Sequence, residues 1–179
     1  MDLSRDDLIS ENEESALADA VAKVEFTGVV MRGVAAKRRT VHFGRSYEFE
    51  TFKLGPAPPI PEFLLPFRER AGDLTSHRPD EFVEALISEY PPGAAIGWHR
   101  DAPPFGVIIG ISLLTACTMR FRPWPSKASP GQGKLPKPLA RLLEPRSAYV
   151  LDGKARTSWQ HHIPATRALR YSITFRTLR

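Results

Sequence analysis

Apolar and polar positions along this 179-residue chain fall into short runs divided by turn residues. The apolar runs 86–90, 94–98, 106–114, 118–123, 147–151 and 169–177 are of strand length, with glycine, proline and polar residues between them. Short strands at such spacing predict an all-β sandwich or barrel. Between Val21 and about Leu54 the pattern alternates: Val41 and Phe43 precede Gly44, while Tyr47, Phe49 and Phe52 follow it. That arrangement predicts a β-hairpin turning at Gly44. Residues 55–66, GPAPPIPEFLLP, hold too much proline for a central strand and read as a connector. A short helix is expected from Pro61, and a further helical turn over Pro79–Ala85. Residues 123–140, PWPSKASPGQGKLPKPLA, read as a long basic loop, of the kind that is functional or disordered.

Composition adds limits. The length suits one domain, and 42% apolar residues can fill a core, so global disorder is excluded. No apolar run approaches the ~18 residues of a membrane span, and no basic region leads into an apolar one at the N-terminus. Neither a membrane partner nor a signal peptide is expected. The single cysteine, Cys117, cannot form an internal disulfide, which suits a cytoplasmic location. The net charge of +5 is unevenly spread. Residues 1–20 carry seven acids and one base, Arg5, and read as a flexible acidic extension. The rest of the chain then holds 13 acids against 24 bases, a net of +11. So basic a body points to a polyanionic partner, nucleic acid first, although a solvated charged surface would give the same count.

Three features in the second half carry chemistry. His99-Arg100-Asp101 would set an imidazole and a carboxylate on one face of an extended segment. By itself the pair could equally be a histidine oriented by a neighbouring acid. His161, in WQHHIP, lies 62 residues later; His162 is its rival, and on a strand only one of the two can face a metal. Two histidines and a carboxylate make the facial triad of non-haem Fe(II) sites. A tetrahedral zinc site lacks support, because Cys117 has no cysteine partner. In RYSITFR, Arg170, Ser172, Thr174 and Arg176 share one strand face, and Tyr171, Ile173 and Phe175 the other. Two arginines on an inward face call for a dianionic ligand held by bidentate forks, whereas on an edge strand they would be ordinary surface residues.

Together these motifs resemble the AlkB-type Fe(II)/2-oxoglutarate dioxygenases, over roughly residues 30–179 and most strongly from Leu86 onward. That family has an Asn-x-Tyr strand, a His-x-Asp pair, a distal His often followed by Gly-Ile, and a final Arg-x-Asn-x-Thr-x-Arg strand. This chain has Ser88-Glu89-Tyr90, His99-Arg100-Asp101, His161-His162-Ile163 and Arg170 through Arg176 in the same order. The match of Ile163 assigns the ligand to His161. The resemblance implies a mainly β (α+β) fold with a double-stranded β-helix (jelly-roll) core over residues 76–179. Residues 21–75 would form an N-terminal hairpin lid with a few short helices, in a monomer.

The resemblance also implies residue roles. His99, Asp101 and His161 would bind Fe(II). Arg170 and Tyr90 would hold the distal carboxylate of 2-oxoglutarate, and Arg176 the carboxylate beside the keto group. Ser88 and Ser172 stand where the family has asparagines. With O2, such an enzyme oxidises an N-methyl group of an alkylated base and releases formaldehyde, succinate and CO2. Arg32, Lys37, Arg38, Arg39 and Arg45 fall where the family carries its nucleotide-recognition lid. There they would grip the phosphates of a single-stranded or flipped-out nucleic acid. His42, Phe43 and Tyr47 are the aromatics placed to stack a base, or else hairpin core. Acidic residues that often follow His-x-Asp in DNA-repairing members are replaced by Ala102-Pro103-Pro104. That departure leaves open the same chemistry on a tRNA or a protein side chain. An inactive basic nucleic-acid-binding module is the alternative of another class.

Overall fold

The computed structural model describes residues 4–31, 34–48, 51–124 and 137–179. The regular elements run β1 (Ser4–Arg5), α1 (Glu11–Val21), β2 (Thr27–Met31), β3 (Val34–Phe43), β4 (Arg45–Glu48) and β5 (Lys53–Pro56). They continue with α2 (Leu65–Thr75), β6 (Phe82–Tyr90), β7 (Ile96–His99), β8 (Phe105–Leu113), β9 (Cys117–Pro123) and β10 (Leu139–Leu143). The chain closes with β11 (Ala148–Leu151), α3 (Gly153–Thr157), β12 (Trp159–Ile163) and β13 (Arg170–Leu178).

Two antiparallel sheets organise these elements: a seven-stranded sheet ordered β1-β11-β8-β13-β6-β3-β2 and a four-stranded sheet ordered β10-β9-β12-β7. They face each other as the two layers of the expected jelly roll. Its central strands β6, β8 and β13 are buried almost end to end, which explains why their sequences read as near-continuous apolar runs. On one side, Ile87, Ile109, Ile111, Ile173 and Phe175 pack with Leu17 and Val21 of α1 and Phe67 and Ala71 of α2. On the other side, Tyr90 and Ile108 meet Met119, Phe121 and Ile163 of the smaller sheet. Tyr171, Ile173 and Phe175 therefore turn to the helices, and the alternate residues of β13 turn between the sheets. No helix among the described residues is long and apolar enough to cross a membrane.

Three expectations need correction. The first is the hairpin at Gly44. The strand before it pairs with β2 and with β6, with Val41 opposite Ile87, while β4 leaves the sheet to pair with β5. Gly44 marks the point of departure. Its φ is +76°, and an added Cβ would overlap the Val83 carbonyl oxygen. Alternation on both sides of a glycine is satisfied by two separate strand pairs as well as by one. Secondly, the long loop is shorter than expected. β9 reaches Pro123 and Leu139 already lies in β10, while residues 125–136 are outside the described residues.

The third correction concerns the described part of the acidic segment, residues 4–20, which packs onto the body. Ser10 and Glu13 form a capping box at the start of α1, and Ile9, Leu17 and Val21 enter the main core. The acids face basic partners. Glu13 pairs with Arg70, and Glu14 lies 3.3 Å from Arg146. Glu14 also accepts the Leu114 amide at 2.7 Å. A charge count hides the i, i+4 pair Leu17 and Val21, which docks the helix.

The hydrogen bond from Arg70 holds the Glu13 carboxyl at about 2, against an ordinary 4.5. Because the folded value is depressed, this contribution is complete above about pH 4.5 and is lost as pH falls toward about 2. The protection factors of the α1 amides, corrected for the intrinsic pH dependence of exchange, are expected to fall over that window in the native protein. A Glu13→Gln variant should begin with weaker protection and show less of the pH dependence.

Candidate active site

β7 and β12 lie side by side with His99 opposite His161, and Ile96 opposite Ile163. Three steps along β7 thus match two along β12, a bulge that turns both Ile96 and His99 into the cleft. Trp98 is left on the outer face, where its ring packs on His162 at 4.4 Å between centroids. Of the two adjacent histidines, His161 is the one that lies with His99 and Asp101. β7 ends at His99, so Asp101 reaches the same point from the turn beyond the strand and not from the strand face.

One ligand atom from each of His99, Asp101 and His161 lies within 4.8 Å of the others. His161 Nε2 is 3.5 Å from Asp101 Oδ2, and the two imidazole centroids are 4.3 Å apart. His99 Nδ1 is 2.8 Å from the Gly97 carbonyl oxygen. An N–H must sit there, which leaves Nε2 as the lone-pair nitrogen. Burial lowers the pKa of both histidines, that of His161 to about 4. Burial would raise that of Asp101, but Arg176 and the two imidazoles outweigh it and hold the carboxyl below its usual range. Two neutral imidazoles and one carboxylate are the protonation states that a divalent metal requires.

The cleft beside this cluster has a volume of about 410 Å3, open to solvent at its mouth. Arg170 is fully buried next to it. Its Nε donates to Ser112 Oγ at 3.1 Å and its Cζ lies 5.2 Å from the centre of the Tyr90 ring. Neither Nη atom has a partner among the described residues. A buried guanidinium without an anion costs several kcal/mol, so this fork has the chemistry to receive a carboxylate. Arg176 differs: Nη1 donates to Glu84 at 3.1 Å and Nη2 to Asp101 at 3.0 Å. Ser88 and Ser172 are paired across β6 and β13, and both line the cleft.

A sequence model described as the 2OG-Fe(II) oxygenase superfamily matches residues 14–176. The chain belongs to this superfamily. This oxygenase is similar to an uncharacterized protein of Acanthamoeba polyphaga mimivirus, 29% identical over 189 residues, with 96% of this chain and 82% of that protein covered. It is also similar to an Arabidopsis thaliana protein named alkylated DNA repair protein ALKBH8 homolog, 28% identical over 179 residues, with 88% of this chain covered. The chain spans about half of that plant protein, 49% of its length. Among solved structures, that of OsALKBH1 shares the fold at a TM-score of 0.68, with 12% identity, 97% of this chain and 96% of the other covered.

The protein is therefore a 2-oxoglutarate-dependent dioxygenase, whose cofactors are Fe(II), 2-oxoglutarate and O2. Its residues fit that set. The His-Asp-His cluster has the donor atoms that would hold the metal, and neither Nη atom of Arg170 has a hydrogen-bond partner among the described residues.

The basic and aromatic lid residues of the oxygenase are dispersed. Lys37 and Arg45 are exposed, and Arg32 lies outside the described residues. Arg39 is 2.5 Å from Glu89 and sits over the Phe26 ring, so it is not a free phosphate ligand. Arg38 turns inward, lines the cleft and donates to Ser88 Oγ at 3.2 Å. Phe43 packs against the main core. Tyr47 is buried with Ala102 and Phe105. His42 keeps some exposure, and its Nδ1 is 2.7 Å from Glu84.

Several site residues went unrecognised in the sequence. Glu84 is fully buried between His42 and Arg176. An acid inside the apolar stretch Phe82–Ile87 of β6, in phase with Ser88 and Tyr90, was its available signal. Arg156 holds the turn after Asp101 by donating to the carbonyls of Ala102 and Phe105. Tyr149 lines the cleft directly opposite Gly110 on β8. An added Cβ at Gly110 would overlap its ring, so a glycine inside a central strand was the clue to close approach. Gly110→Ala is expected to cost about 1–3 kcal/mol by overpacking. In the Gly110→Ala, Tyr149→Ala double variant the two effects should fall well short of additive, measured by chemical denaturation.

Proposed function

We propose that the protein removes N-alkyl groups from nucleic-acid bases by oxidation, acting as a monomer on single-stranded or flipped-out nucleotides. The observation that carries this reading is the placement of His99, Asp101 and His161 beside a buried, unpartnered Arg170. In this reading the first three hold Fe(II). Arg170, flanked by Tyr90, receives the distal carboxylate of 2-oxoglutarate, while Ser88 and Ser172 offer hydroxyls along its length. Arg176 meets the other carboxylate and keeps Asp101 ionised and oriented.

The bound iron, cosubstrate and O2 supply oxidation of a C–H bond: one oxygen atom enters it, the other ends in succinate, and CO2 leaves. The chain supplies the rest. Neutral imidazoles leave their lone pairs free for the metal, and Ile108, Met119 and Ile163 line the cleft with apolar surface that limits water. If the oxidised carbon is an N-methyl group, the hydroxymethyl product loses formaldehyde and restores the N–H of the base. The basic strand β3 beside the cleft, and the name of the plant relative, support nucleic acid as the substrate. Buried, unpaired Cys117 suits a reducing cytoplasm.

The test follows the mass of single-stranded DNA and RNA oligonucleotides, each carrying one N-methylated base, in the presence of Fe(II), ascorbate and 2-oxoglutarate. The wild type is expected to remove 14 mass units, roughly one CH2 on replacement of methyl by hydrogen. His99→Ala and Asp101→Ala should both abolish the loss. Succinate formed without any change in oligonucleotide mass would move the same chemistry to another substrate. No succinate at all would leave an inactive binding module.

A further inference from the structure

The charges around the cleft bear on which bases it accepts. Among the described residues that line it, the only carboxylate is Asp101, which is already paired with Arg176. Glu84, the nearest other acid, is fully buried and held by His42 and Arg176. Glu89 faces Arg39. The turn after Asp101 is Ala102-Pro103-Pro104 and brings no acid. Arg38 lines the cleft from β3 with a single hydrogen bond among the described residues, to Ser88 Oγ, and no carboxylate partner. It lies near enough to the metal cluster that its charge disfavours protonation of His99. An unpaired guanidinium with spare N–H donors thus stands beside the place where the reacting group must enter.

Resting on the nucleic-acid reading above, we infer that Arg38 determines specificity by favouring neutral, carbonyl-bearing N-methyl bases over cationic ones. N3-methylthymine and N3-methyluracil are neutral and carry a carbonyl on each side of the methylated nitrogen. A spare N–H of Arg38 donates to one of these oxygens. N3-methylcytosine and N1-methyladenine carry a full positive charge at neutral pH. In a partly desolvated cleft that charge is repelled by Arg38, with no free carboxylate among the described residues to offset it. A group built to donate a hydrogen bond also penalises a base that offers an amino group where the carbonyl should be.

N3-methylthymine and N3-methylcytosine are close in size and shape, so they form the matched pair for a test. Each is placed at the centre of the same single-stranded oligonucleotide. Demethylation is followed as kcat/KM, and binding by fluorescence anisotropy under anaerobic conditions with Fe(II) and 2-oxoglutarate present. The wild type is expected to favour N3-methylthymine at least tenfold. Arg38→Gln should narrow the preference, and Arg38→Glu should reverse it, with the KM for 2-oxoglutarate unchanged in both. Equal or faster turnover of N3-methylcytosine by the wild type would overturn the inference while leaving the dealkylase reading intact. So would an unaltered ratio in Arg38→Glu, or a raised KM for 2-oxoglutarate with the base ratio preserved. Continued succinate production with neither base demethylated would instead overturn the nucleic-acid reading, and the inference with it.

Discussion

Strand β13 places two guanidinium groups on the inner face of a closed β structure, and the rest of the site is arranged around that electrostatic demand. Both arginines are buried, Arg170 completely, so each needs an anion at close range or stands at a penalty. Arg176 is met by two carboxylates of the protein, one of them a member of the metal cluster. Arg170 is met by a serine hydroxyl alone, with the rest of its fork unused. The difference divides the strand between two tasks. One end braces the His-Asp-His cluster through Asp101, and the other presents two Nη atoms without a partner among the described residues. The serines and threonine between them keep the wall of the cleft polar.

The same accounting separates the chain's positive charges. Arg70 and Arg146 are neutralised by α1 and the residues before it, so the acidic N-terminal segment belongs to the packed body. Arg39 is spent on Glu89. What stays unpaired near the cleft is Arg38, beside the exposed Lys37. A strand that reads as one basic patch therefore contains three different environments. Adjacent residues of β3 point to opposite faces, and one of those faces is the cleft wall.

Much of the site was legible before any fold was known, because it obeys local geometry. The alternation in Arg170 through Arg176 allots the arginines to one face, and in the structure Tyr171, Ile173 and Phe175 indeed fill the other with core. The spacing of His99 and Asp101 and the later His161 named a possible metal set, and the two strands bring them together. Local geometry failed where pairing across the sheet intervened. Gly44 had the pattern of a hairpin turn, yet β3 found its partners in β2 and β6. Glu84 became a site residue only through its register with Arg176.

The sequence by itself determined the β architecture of the core, the residue types from which a metal set could be drawn and the face of β13 that carries the arginines. Each follows from period-two alternation or from the chemistry of the side chain, neither of which depends on distant residues. Only the tertiary structure decided that the acidic N-terminus docks, that His162 faces away, that the Nη atoms of Arg170 have no hydrogen-bond partner among the described residues and that Arg38 looks into the cleft. These outcomes depend on strand register, on a bulge in β7 and on which charge lies across a sheet. They are contacts between residues far apart in the chain, and folding alone brings them within a few ångströms.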